Sequence, residues 1–439
     1  MAFNIRDYGA VGDGVALDQQ ALQTAIDACA ATGGGTVIVP SGNYLTGTVQ
    51  VKSGVNLHLE AGARIVAADD AALYPVICPT PFGNLPGQIQ AVIWIEKASG
   101  VRVTGPGVID GGGAIAPSYN DACEMFFRPA LVFCRDCHDL QFLEVTLLNT
   151  RFWTLHLMRC DDVAIRGINI WNNQDMPNSD GIDPDGCRNM IISDCNIRTG
   201  DDAIVIKSTE GDPCENIVIS NCIVSSRCAA LKLGTEVMGD MRDIIFANCI
   251  VQQANVVIAL YMKDGTTFEN IRFSNINMTV DNPFPVVVDI TPRYYKEPRK
   301  GFINNVVLDG IAITGQGRCY IEGLPEQPIA GLTLRDITWN ITGPCEVEKY
   351  EKPIGARRVE SDPERQKLTV FPYHFLIFHV DGLDMTGIKL YDRQETPDHG
   401  IAYIRNVHNG LVEIRRPITP PAGVTQVDID ECTAVAVRV

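Results

Sequence analysis

A 27-residue period in the middle of the chain constrains its fold more than any other feature of the sequence. Five segments at this spacing align without gaps, and each alternates apolar and polar residues ahead of turn-forming residues. The segments are AIRGINI at 164–170, IISDCNI at 191–197, VISNCIV at 218–224, IFANCIV at 245–251 and RFSNINM at 272–278. Each is typical of a short strand, and strands in phase at one period predict an all-β solenoid of stacked parallel strands.

Three cysteines repeat with this period. Cys195, Cys222 and Cys249 are each 27 residues apart, and stacked parallel strands lie about 4.8 Å apart. We therefore predict that their side chains form an interior column with a packing role. Cys134 and Cys137 form a Cys-x-x-Cys motif without a second pair, which argues against a zinc site.

Less regular strand-like segments flank the repeat and predict that one solenoid domain covers residues 1–439. These segments lie at 101–110, 140–149, 304–313 and 331–340. An amphipathic helix is predicted over 18–32, opened by Asp18 and ended by the glycines at 33–35, where it would cover the open N-terminal end of the solenoid. The segment 345–372 is rich in Lys, Arg, Glu and Pro and is predicted to be a surface loop.

Composition narrows the classes of partner. The formal net charge of −17 repels phosphate backbones, and no run of Lys and Arg interleaved with aromatic residues opposes it, so a nucleic acid partner is not expected. The longest wholly apolar stretch, Val256 to Met262, is far below the roughly 20 residues of a membrane span, so no membrane partner is expected. Nothing in the sequence indicates the oligomeric state.

The N-terminus and the cysteines bear on localisation. The start MAFNIRDYGA has neither the basic nor the apolar region of a secretory signal. An odd total of 15 cysteines favours reduced thiols over a fully paired disulfide framework. We therefore expect a cytoplasmic protein, although a secreted or periplasmic form trimmed of its signal would have the same sequence.

Three aspartates form the strongest candidate site. Asp180 precedes Asp201 and Asp202 by roughly one turn of the solenoid, so the three carboxyl groups are predicted to meet on one face. Hydrolysis of an acetal needs one protonated carboxyl group for the leaving oxygen and an ionised one for water or for the sugar. Crowded aspartates provide this difference, because mutual repulsion keeps a proton on at least one of them.

Several motifs together resemble glycoside hydrolase family 28, the polygalacturonases and rhamnogalacturonan hydrolases. NSDGID at 178–183 is similar to the family's Asn-Thr-Asp motif and GDDAI at 200–204 to its Gly-Asp-Asp motif, and further similar stretches are RPALVFCRDC, RFWTLHLMRC, DYGAVGDG and VNLHLEAGARI. The resemblance implies a right-handed parallel β-helix, no metal or other cofactor, and inversion at the anomeric carbon. It implies that Asp201 is the acid and that Asp180 and Asp202 hold the attacking water. Spacing alone decides neither which of Asp201 and Asp202 gives the proton nor between inversion and retention.

Two departures from the family pattern bear on the substrate. SSRCAALKLGTE at 225–236 places Ala229 where polygalacturonases have a histidine, and Tyr261-Met262-Lys263 stands where they have Arg-Ile-Lys. A lone ammonium lacks the bidentate fork that arginine offers a carboxylate. We therefore expect a carbohydrate substrate other than plain homogalacturonan, such as a rhamnogalacturonan or another non-uronide glycan.

The remaining candidates are predicted to bind substrate. The predicted substrate-binding residues are Asn178, Lys207, Arg227, Lys232, Tyr261, Lys263 and Trp171. Asp183 and Asp185 have calcium-loop spacing, but the later glutamate of an EF-hand is missing, so no metal site is expected. A polysaccharide lyase or epimerase and a non-catalytic glycan-binding β-helix remain open as alternatives.

Overall fold

A computed structural model describes residues 1–79, 88–113, 127–280, 284–290, 301–343, 372–392, 400–415 and 426–438. It divides into a first unit, Met1–Arg227, and a second unit, Cys228–Val439. That the whole chain is one domain stays a prediction. The predicted surface loop at 345–372 lies, except for Pro372, outside the described residues.

The first unit is a right-handed parallel β-helix, as the resemblance implied. Three parallel sheets run along it, so that each complete rung contributes one strand to every sheet. The first sheet contains β5 (Val49–Gln50), β10 (Ala91–Glu96), β13 (Ala130–Arg135), β16 (Leu155–Met158), β19 (Ile182–Asp185) and β22 (Ile204–Ser208).

The two other sheets of the first unit have the same parallel order. The second contains β1 (Ala2–Asn4), β3 (Gly35–Val39), β6 (Val55–Leu59), β11 (Ser99–Thr104), β14 (His138–Leu143), β17 (Asp161–Arg166), β20 (Arg188–Ser193) and β23 (Cys214–Ser220). The third contains β2 (Asp13–Leu17), β4 (Gly42–Thr46), β7 (Ala63–Ala67), β12 (Val108–Asp110), β15 (Thr146–Leu148), β18 (Asn169–Trp171), β21 (Asn196–Thr199) and β24 (Ile223–Ser226). A separate antiparallel pair joins β8 (Cys78–Pro79) and β9 (Gln88–Ile89).

The second unit repeats the parallel pairing with longer strands. Its strands are β25 (Ala229–Val237), β26 (Met241–Ala247), β27 (Ile250–Gln253), β28 (Val256–Tyr261), β29 (Thr267–Val280), β30 (Phe284–Asp289), β31 (Phe302–Gly315), β32 (Cys319–Glu322), β33 (Ile329–Arg335), β34 (Thr338–Ile341), β35 (Tyr373–Asp392), β36 (Gly400–Arg415), β37 (Val427–Asp430) and β38 (Thr433–Arg438). β29 pairs along its length with β31, and β35 pairs in the same way with β36.

Four of the five repeated segments contain a corner between two strands, which corrects the expectation that each is a single strand, whereas RFSNINM lies within β29 as expected. IISDCNI, for example, contains the end of β20, a bend, and the start of β21. The bend occurs because Asp194 has a positive φ of 60°, as do Asn221 and Asn275 at 57° and 59°. Asp and Asn tolerate this left-handed conformation better than most residues.

Side-chain ladders connect these corners within each unit. Asn221 donates from Nδ2 to Asp194 Oδ1 at 3.3 Å in the first unit, and Asn275 donates to Asn248 Oδ1 at 3.1 Å in the second. The donor and acceptor in each pair are 27 residues apart. The period of the sequence therefore reflects the corners as much as the strands.

The predicted cysteine positions are interior. Cys195, Cys222 and Cys249 are at most 2% exposed, and each thiol donates to the carbonyl oxygen two residues before it. A second series in the first unit was not predicted and consists of Cys137, Cys160, Cys187 and Cys214. All the cysteines of the described part of the chain are free thiols, and burial raises the pKa of Cys134 and Cys214.

The capping helix, α1, covers Gln19–Ala31 and packs against β1, β3 and β5. Its predicted apolar face is buried and consists of Leu22, Ala25, Ile26 and Cys29. Asp18 precedes the helix but does not cap it with its side chain. Its carboxylate instead accepts hydrogen bonds from the N–H groups of Val11 and Gly12, at 2.6 and 3.0 Å. Throughout the described ranges, no helix combines the length and the apolar character needed to cross a membrane.

Candidate active site

The three predicted aspartates lie on neighbouring rungs of the first unit, just ahead of β19 and β22. Gly181 N–H donates to the carbonyl oxygen of Asp202 at 2.9 Å, and Ile182 is in register with Ile204. The rung at this level is therefore shorter than the repeating period of the sequence. This shorter rung stacks Asp180 beside Asp202.

The three aspartates differ in accessibility and in partners. Asp180 and Asp202 are each 3% exposed, whereas Asp201 is half-buried. The Asp201 carboxylate accepts N–H hydrogen bonds from Asn178 at 3.2 Å and from Asp202 at 3.0 Å. One of its oxygens lies within 4.8 Å of an Asp202 carboxylate oxygen. Asp201 is thus the member of the cluster most accessible from outside.

A hydrogen-bond network fixes the backbone of Asp180. Its carbonyl oxygen accepts from the N–H of Thr154 at 2.9 Å and from the Thr154 hydroxyl at 2.6 Å. Asn172 donates from Nδ2 to Thr154 Oγ1 at 2.7 Å and to the Ser179 carbonyl oxygen at 3.2 Å. Thr154 and Asn172 were missed from the sequence, because neither belongs to a recognisable catalytic pattern.

Glycine is required in the second motif because the backbones approach closely. A Cβ atom at Gly200 would lie 2.4 Å from the carbonyl oxygen of Met176 and 2.8 Å from Ser179 Oγ. The same Ser179 hydroxyl oxygen accepts the N–H of Gly200 at 2.9 Å. This bond ties the NSDGID motif to the GDDAI motif.

Lys207 lies between two buried carboxylates. Its Nζ is 2.9 Å from Asp180 Oδ2 and 2.9 Å from Asp183 Oδ1. The same atom lies 3.5 Å from the centroid of the Trp153 ring. Its side chain is only 4% exposed. The structure therefore places this ammonium in buried ion pairs, and the prediction that Lys207 binds substrate stays a prediction.

Asp183 is fully buried in β19, and burial raises the pKa of its carboxyl group well above the usual range. The nearby carboxylates of Asp180 and Asp202 raise it further, while Lys207 acts in the opposite direction. In the sequence, Asp183 stands out only for its calcium-loop spacing with Asp185. The useful signal was alternation, because every second residue of the buried segment Ile182–Asp185 is an aspartate.

Asp185, the other residue with calcium-loop spacing, belongs to a separate buried pair. Its Oδ2 lies 3.1 Å from His156 Nε2, and it accepts from the N–H and the hydroxyl of Thr209 at 2.8 and 2.6 Å. His156 is in register with Asp183 on the neighbouring strand and contacts Trp153 edge to face. These contacts give both aspartates partners within the protein, and the absence of a metal or other cofactor stays a prediction.

Asn178 is held by a buried arginine that was not predicted. Arg128 is 4% exposed and donates from Nη1 to Asn178 Oδ1 at 3.1 Å. It also donates to the carbonyl oxygens of Pro177 and Arg151 and lies over the Phe152 ring. Because Asn178 has a positive φ of 53°, this contact stabilises the backbone whose N–H reaches Asp201.

Two predicted substrate-binding residues of the first unit are solvent-accessible. Trp171 in β18 is 43% exposed and is in register with Arg198. The side chain of Arg227 is 54% exposed, and its Nη2 lies 3.8 Å from Asp175 Oδ1. Both are available to a ligand, but their role in binding stays a prediction.

The other three predicted binding residues cluster in the second unit. The ammonium groups of Lys232 and Lys263 lie 5.5 and 5.4 Å from the centroid of the Tyr261 ring, and Lys263 is paired with Asp289. All four residues are at most 7% exposed. The structure thus groups Lys232, Tyr261 and Lys263, and their role in binding substrate stays a prediction.

Ala229, which stands where polygalacturonases have histidine, belongs to an apolar cluster of the second unit. It is in register with Val256, which is in register with Phe284. The cluster contains Ala229, Val256, Ala259, Tyr261, Phe284, Val287, Tyr320, Leu376 and Phe378. These neighbours surround the small side chain with apolar groups.

Together, these features define a parallel β-helix protein with a cluster of acidic side chains on neighbouring rungs. Comparison with known families is consistent with this class. The sequence model of "Glycosyl hydrolases family 28" matches residues 29–352. The chain belongs to this family.

Individual relatives include polygalacturonases. A "Probable polygalacturonase" of Vitis vinifera is 35% identical over 212 residues, which cover 46% of this chain and 43% of that protein. The chain therefore spans less than half the length of the curated relatives it matches first. An exopolygalacturonase structure from Thermotoga maritima is similar with a TM-score of 0.63 at 24% identity, covering 78% of this chain and 87% of the other.

A family 28 exopolygalacturonase structure from Yersinia enterocolitica is similar over 98% of this chain and 78% of its own, with a TM-score of 0.65 at 18% identity. At this identity the likeness concerns the fold.

Proposed function

We propose that this protein is a glycoside hydrolase that cleaves a glycosidic bond in a plant-type or pectin-related poly- or oligosaccharide. The observation that carries the proposal is the stacking of Asp180 beside Asp202, with the more accessible Asp201 next to them. Two differently placed kinds of carboxyl group are what acetal hydrolysis needs. Family membership supports the same reaction class.

In this proposal Asp201 donates the proton to the leaving oxygen. It is the most exposed of the three aspartates, and its orientation is held by two backbone N–H groups. Asp180 and Asp202 would hold the attacking water on the opposite side of the sugar, which gives inversion. Their backbones are fixed on adjacent rungs, so a water bound between them would need little reorganisation.

We further propose that the preferred substrate is not plain homogalacturonan. Ala229 lies among apolar side chains and offers no hydrogen bond from its own side chain. Lys263, the basic residue of the Tyr-Met-Lys stretch, is paired with Asp289, which offsets its charge. Tyr261, at the position of the family's arginine, carries no positive charge. These features favour a rhamnose-containing or other less acidic glycan.

A screen of defined oligosaccharides tests the reaction class. Chromatography identifies the products, and proton resonance read early in the reaction gives the anomeric configuration. A hydrolase releases a new reducing end without ultraviolet absorbance, a lyase releases an unsaturated and absorbing product, and a binding protein releases nothing. Inversion gives a product whose anomeric configuration is opposite to that of the glycosidic bond that was cleaved.

Variants of the acids test the site. Asp201→Asn and Asp202→Asn should each lower kcat by about 10²–10⁴-fold, the usual contribution of a positioned acid or base. Asp162→Asn is the matched control, because Asp162 is an exposed residue of β17 and the next rung carries Asn189 at the equivalent position of β20. Undiminished turnover in both site variants would refute the assignment.

A further inference from the structure

The ammonium of Lys207 lies at equal distance from two carboxylates in a region with almost no solvent. Its Nζ is 2.9 Å from Asp180 and 2.9 Å from Asp183. The side chains of Lys207 and Asp180 are 4% exposed, and that of Asp183 is 0% exposed. Buried charges are tolerated when they are paired and hydrogen-bonded. The protonation states of these three groups therefore depend on one another.

One positive charge compensates only one of the two carboxylates. If both acids are ionised, the group carries a net charge of −1 in a buried environment, and the neighbouring Asp202 adds to the repulsion. If one acid keeps its proton, the group is neutral. Asp183 is the more deeply buried acid, and burial raises its pKa. Burial therefore favours the proton on Asp183.

We propose that Lys207 and Asp183 are positioning residues for Asp180: Lys207 holds Asp180 ionised and oriented as a base, and Asp183 keeps a proton. This inference rests on the proposed hydrolase function. In this inference Lys207 acts on another residue of the protein, Asp180. It also explains why the buried strand β19 carries an acid at Asp183.

The groups around this trio support the assignment. Asp180 and Asp202 face Asp183 from the acidic cluster, Lys207 faces it from β22, and His156 is in register with it on β16. His156 is paired with Asp185, which also accepts two hydrogen bonds from Thr209. Among the described residues, Lys207 is therefore the cation that contacts Asp183, and Asp185 has its own partners.

Trp153 restricts where the ammonium can lie. The Lys207 Nζ is 3.5 Å from the ring centroid, so the ring covers one side of the ammonium and adds a cation–π attraction. The aromatic ring carries no negative charge, so it cannot neutralise the ammonium as a carboxylate does. Lys207 is thus held in contact with Asp180, which is the requirement for an effect on that residue's protonation.

The first test is the pH profile of kcat/KM on the substrate identified by the screen. Lys207→Met removes the charge and keeps the length, and we expect the acid limb to move up by about one pH unit or more, the usual effect of an opposite charge. We expect kcat to fall more than KM changes. Lys207→Arg should return the acid limb toward its wild-type position. Lys52→Met is the control, since Lys52 forms a solvent-exposed pair with Asp27.

The second test needs no activity. A carboxyl group whose pKa is raised by folding stabilises the folded state at low pH and loses that contribution as the pH rises through its folded value. Asp183→Asn removes this titration. The Tm of Asp183→Asn relative to wild type should therefore increase as the pH is raised from about 4, the ordinary aspartate value, toward 9. Asp162→Asn is the control for the same chemical change at an exposed site.

The outcomes separate this inference from the proposed function. If no glycan is cleaved by the wild-type protein, the proposed function fails, and the Asp183→Asn stability series still decides the charge arrangement. An acid limb that stays in place in a folded Lys207→Met protein overturns the inference. A Tm difference for Asp183→Asn that is constant or shrinks with rising pH also overturns it. Movement of the limb and a growing Tm difference support it.

Discussion

The two units contain strands that are buried on both faces but differ in what their outward faces carry. In the first unit, β19 and β22 place Asp183, Asp185 and Lys207 on that face. In the second unit, the buried strands β28 and β30 carry mainly apolar side chains, with Phe284 and Tyr261 among them, and a single acid, Asp289, in register with Tyr261. The backbone pairing is parallel in both. The same parallel pairing therefore accommodates both a strongly polar and a mainly apolar set of buried side chains.

This difference indicates where function constrains the chain. Apolar residues on a buried face stabilise the fold directly, whereas buried ions contribute only when each is compensated. The first unit nevertheless keeps one lysine and two aspartates with 4% exposure or less in β19 and β22. Local departures from the rule of apolar burial are expected at functional sites. The polar face of the first unit is thus the better candidate for chemistry.

Replacing one aspartate in each unit is the most direct test of whether the two units differ in their contribution to catalysis. Asp180→Asn should lower kcat by about 10²–10⁴-fold, because it removes a proposed base. Asp289→Asn, in the second unit, should change KM more than kcat, because Asp289 is the partner of a proposed binding residue, Lys263. Steady-state kinetics on the screened oligosaccharide measures both.

The control for this pair is Asp162→Asn, which should keep wild-type kinetics because the residue is solvent-exposed in β17. Equal losses of kcat in Asp180→Asn and Asp289→Asn would contradict a division between chemistry and binding. Circular dichroism on each variant separates a kinetic loss from a loss of fold.

The framework and the acidic cluster were predictable because both depend on spacing. A constant step in the sequence predicts which residues become vertical neighbours, and this placed Cys195 and Cys222 in the interior correctly. The step from Asp180 to Asp201 and Asp202 predicted that one rung separates them, as observed. The resemblance to family 28 predicted the fold and is confirmed by the family match.

The contacts of Lys207 and Asp183 could not be predicted, because they depend on local register. Along the first sheet, Val132 pairs with Leu155, Leu155 with Ile182, and Ile182 with Ile204, and these three steps differ in length. Unequal steps give no single offset from which to infer side-chain neighbours. The corner conformations were missed for a different reason, since the periodic Asn and Asp residues were interpreted as polar positions of strands.

A core substitution in the second unit tests whether its stability depends on aromatic packing. Phe246 and Phe273 stack with ring centroids 4.7 Å apart and are fully buried. Phe246→Ala should lower the free energy of unfolding by about 3–5 kcal/mol through lost burial and the cavity left behind. Urea denaturation measures this, and Phe246→Leu, which keeps most of the volume, should cost clearly less. Equal costs for Leu and Ala would show that the stacked pair does not stabilise the core.

The corner ladders should behave alike in both units, since they belong to the shared framework. Asn221→Ala and Asn275→Ala each remove a ladder hydrogen bond and place alanine at a positive φ, so each should cost about 1–2 kcal/mol. The glycine variants at the same positions keep the backbone conformation without strain and should cost less. Thermal unfolding compares the four proteins. A large effect in one unit and none in the other would mean that the ladders are not equivalent.

Surface ion pairs should show the smallest effects and the clearest pH dependence. The Arg159 guanidinium, which donates to Asp136 at 2.7 Å, lowers the pKa of that carboxyl group in the first unit, and Arg335 does the same to Asp309 in the second. A lowered folded pKa contributes stability above the unfolded value of about 3.9, and that contribution is lost as the pH falls through the folded value. Asp136→Asn should therefore cost about 1 kcal/mol or less at pH 7 and almost nothing at about pH 2.

Asp309→Asn should change stability with pH in the same direction, because both ion pairs are partly exposed to solvent. Neither pair involves the buried strands β19, β22, β28 and β30. The measurement is Tm at a series of pH values, with Asp162→Asn as the control. A destabilisation by Asp136→Asn that persists unchanged at low pH would show that the substitution acts through the backbone of its corner, where Asp136 has a φ of 56°, and not through charge. Opposite pH trends at Asp136 and Asp309 would break the view that the two units share one framework and differ only in the side chains it carries.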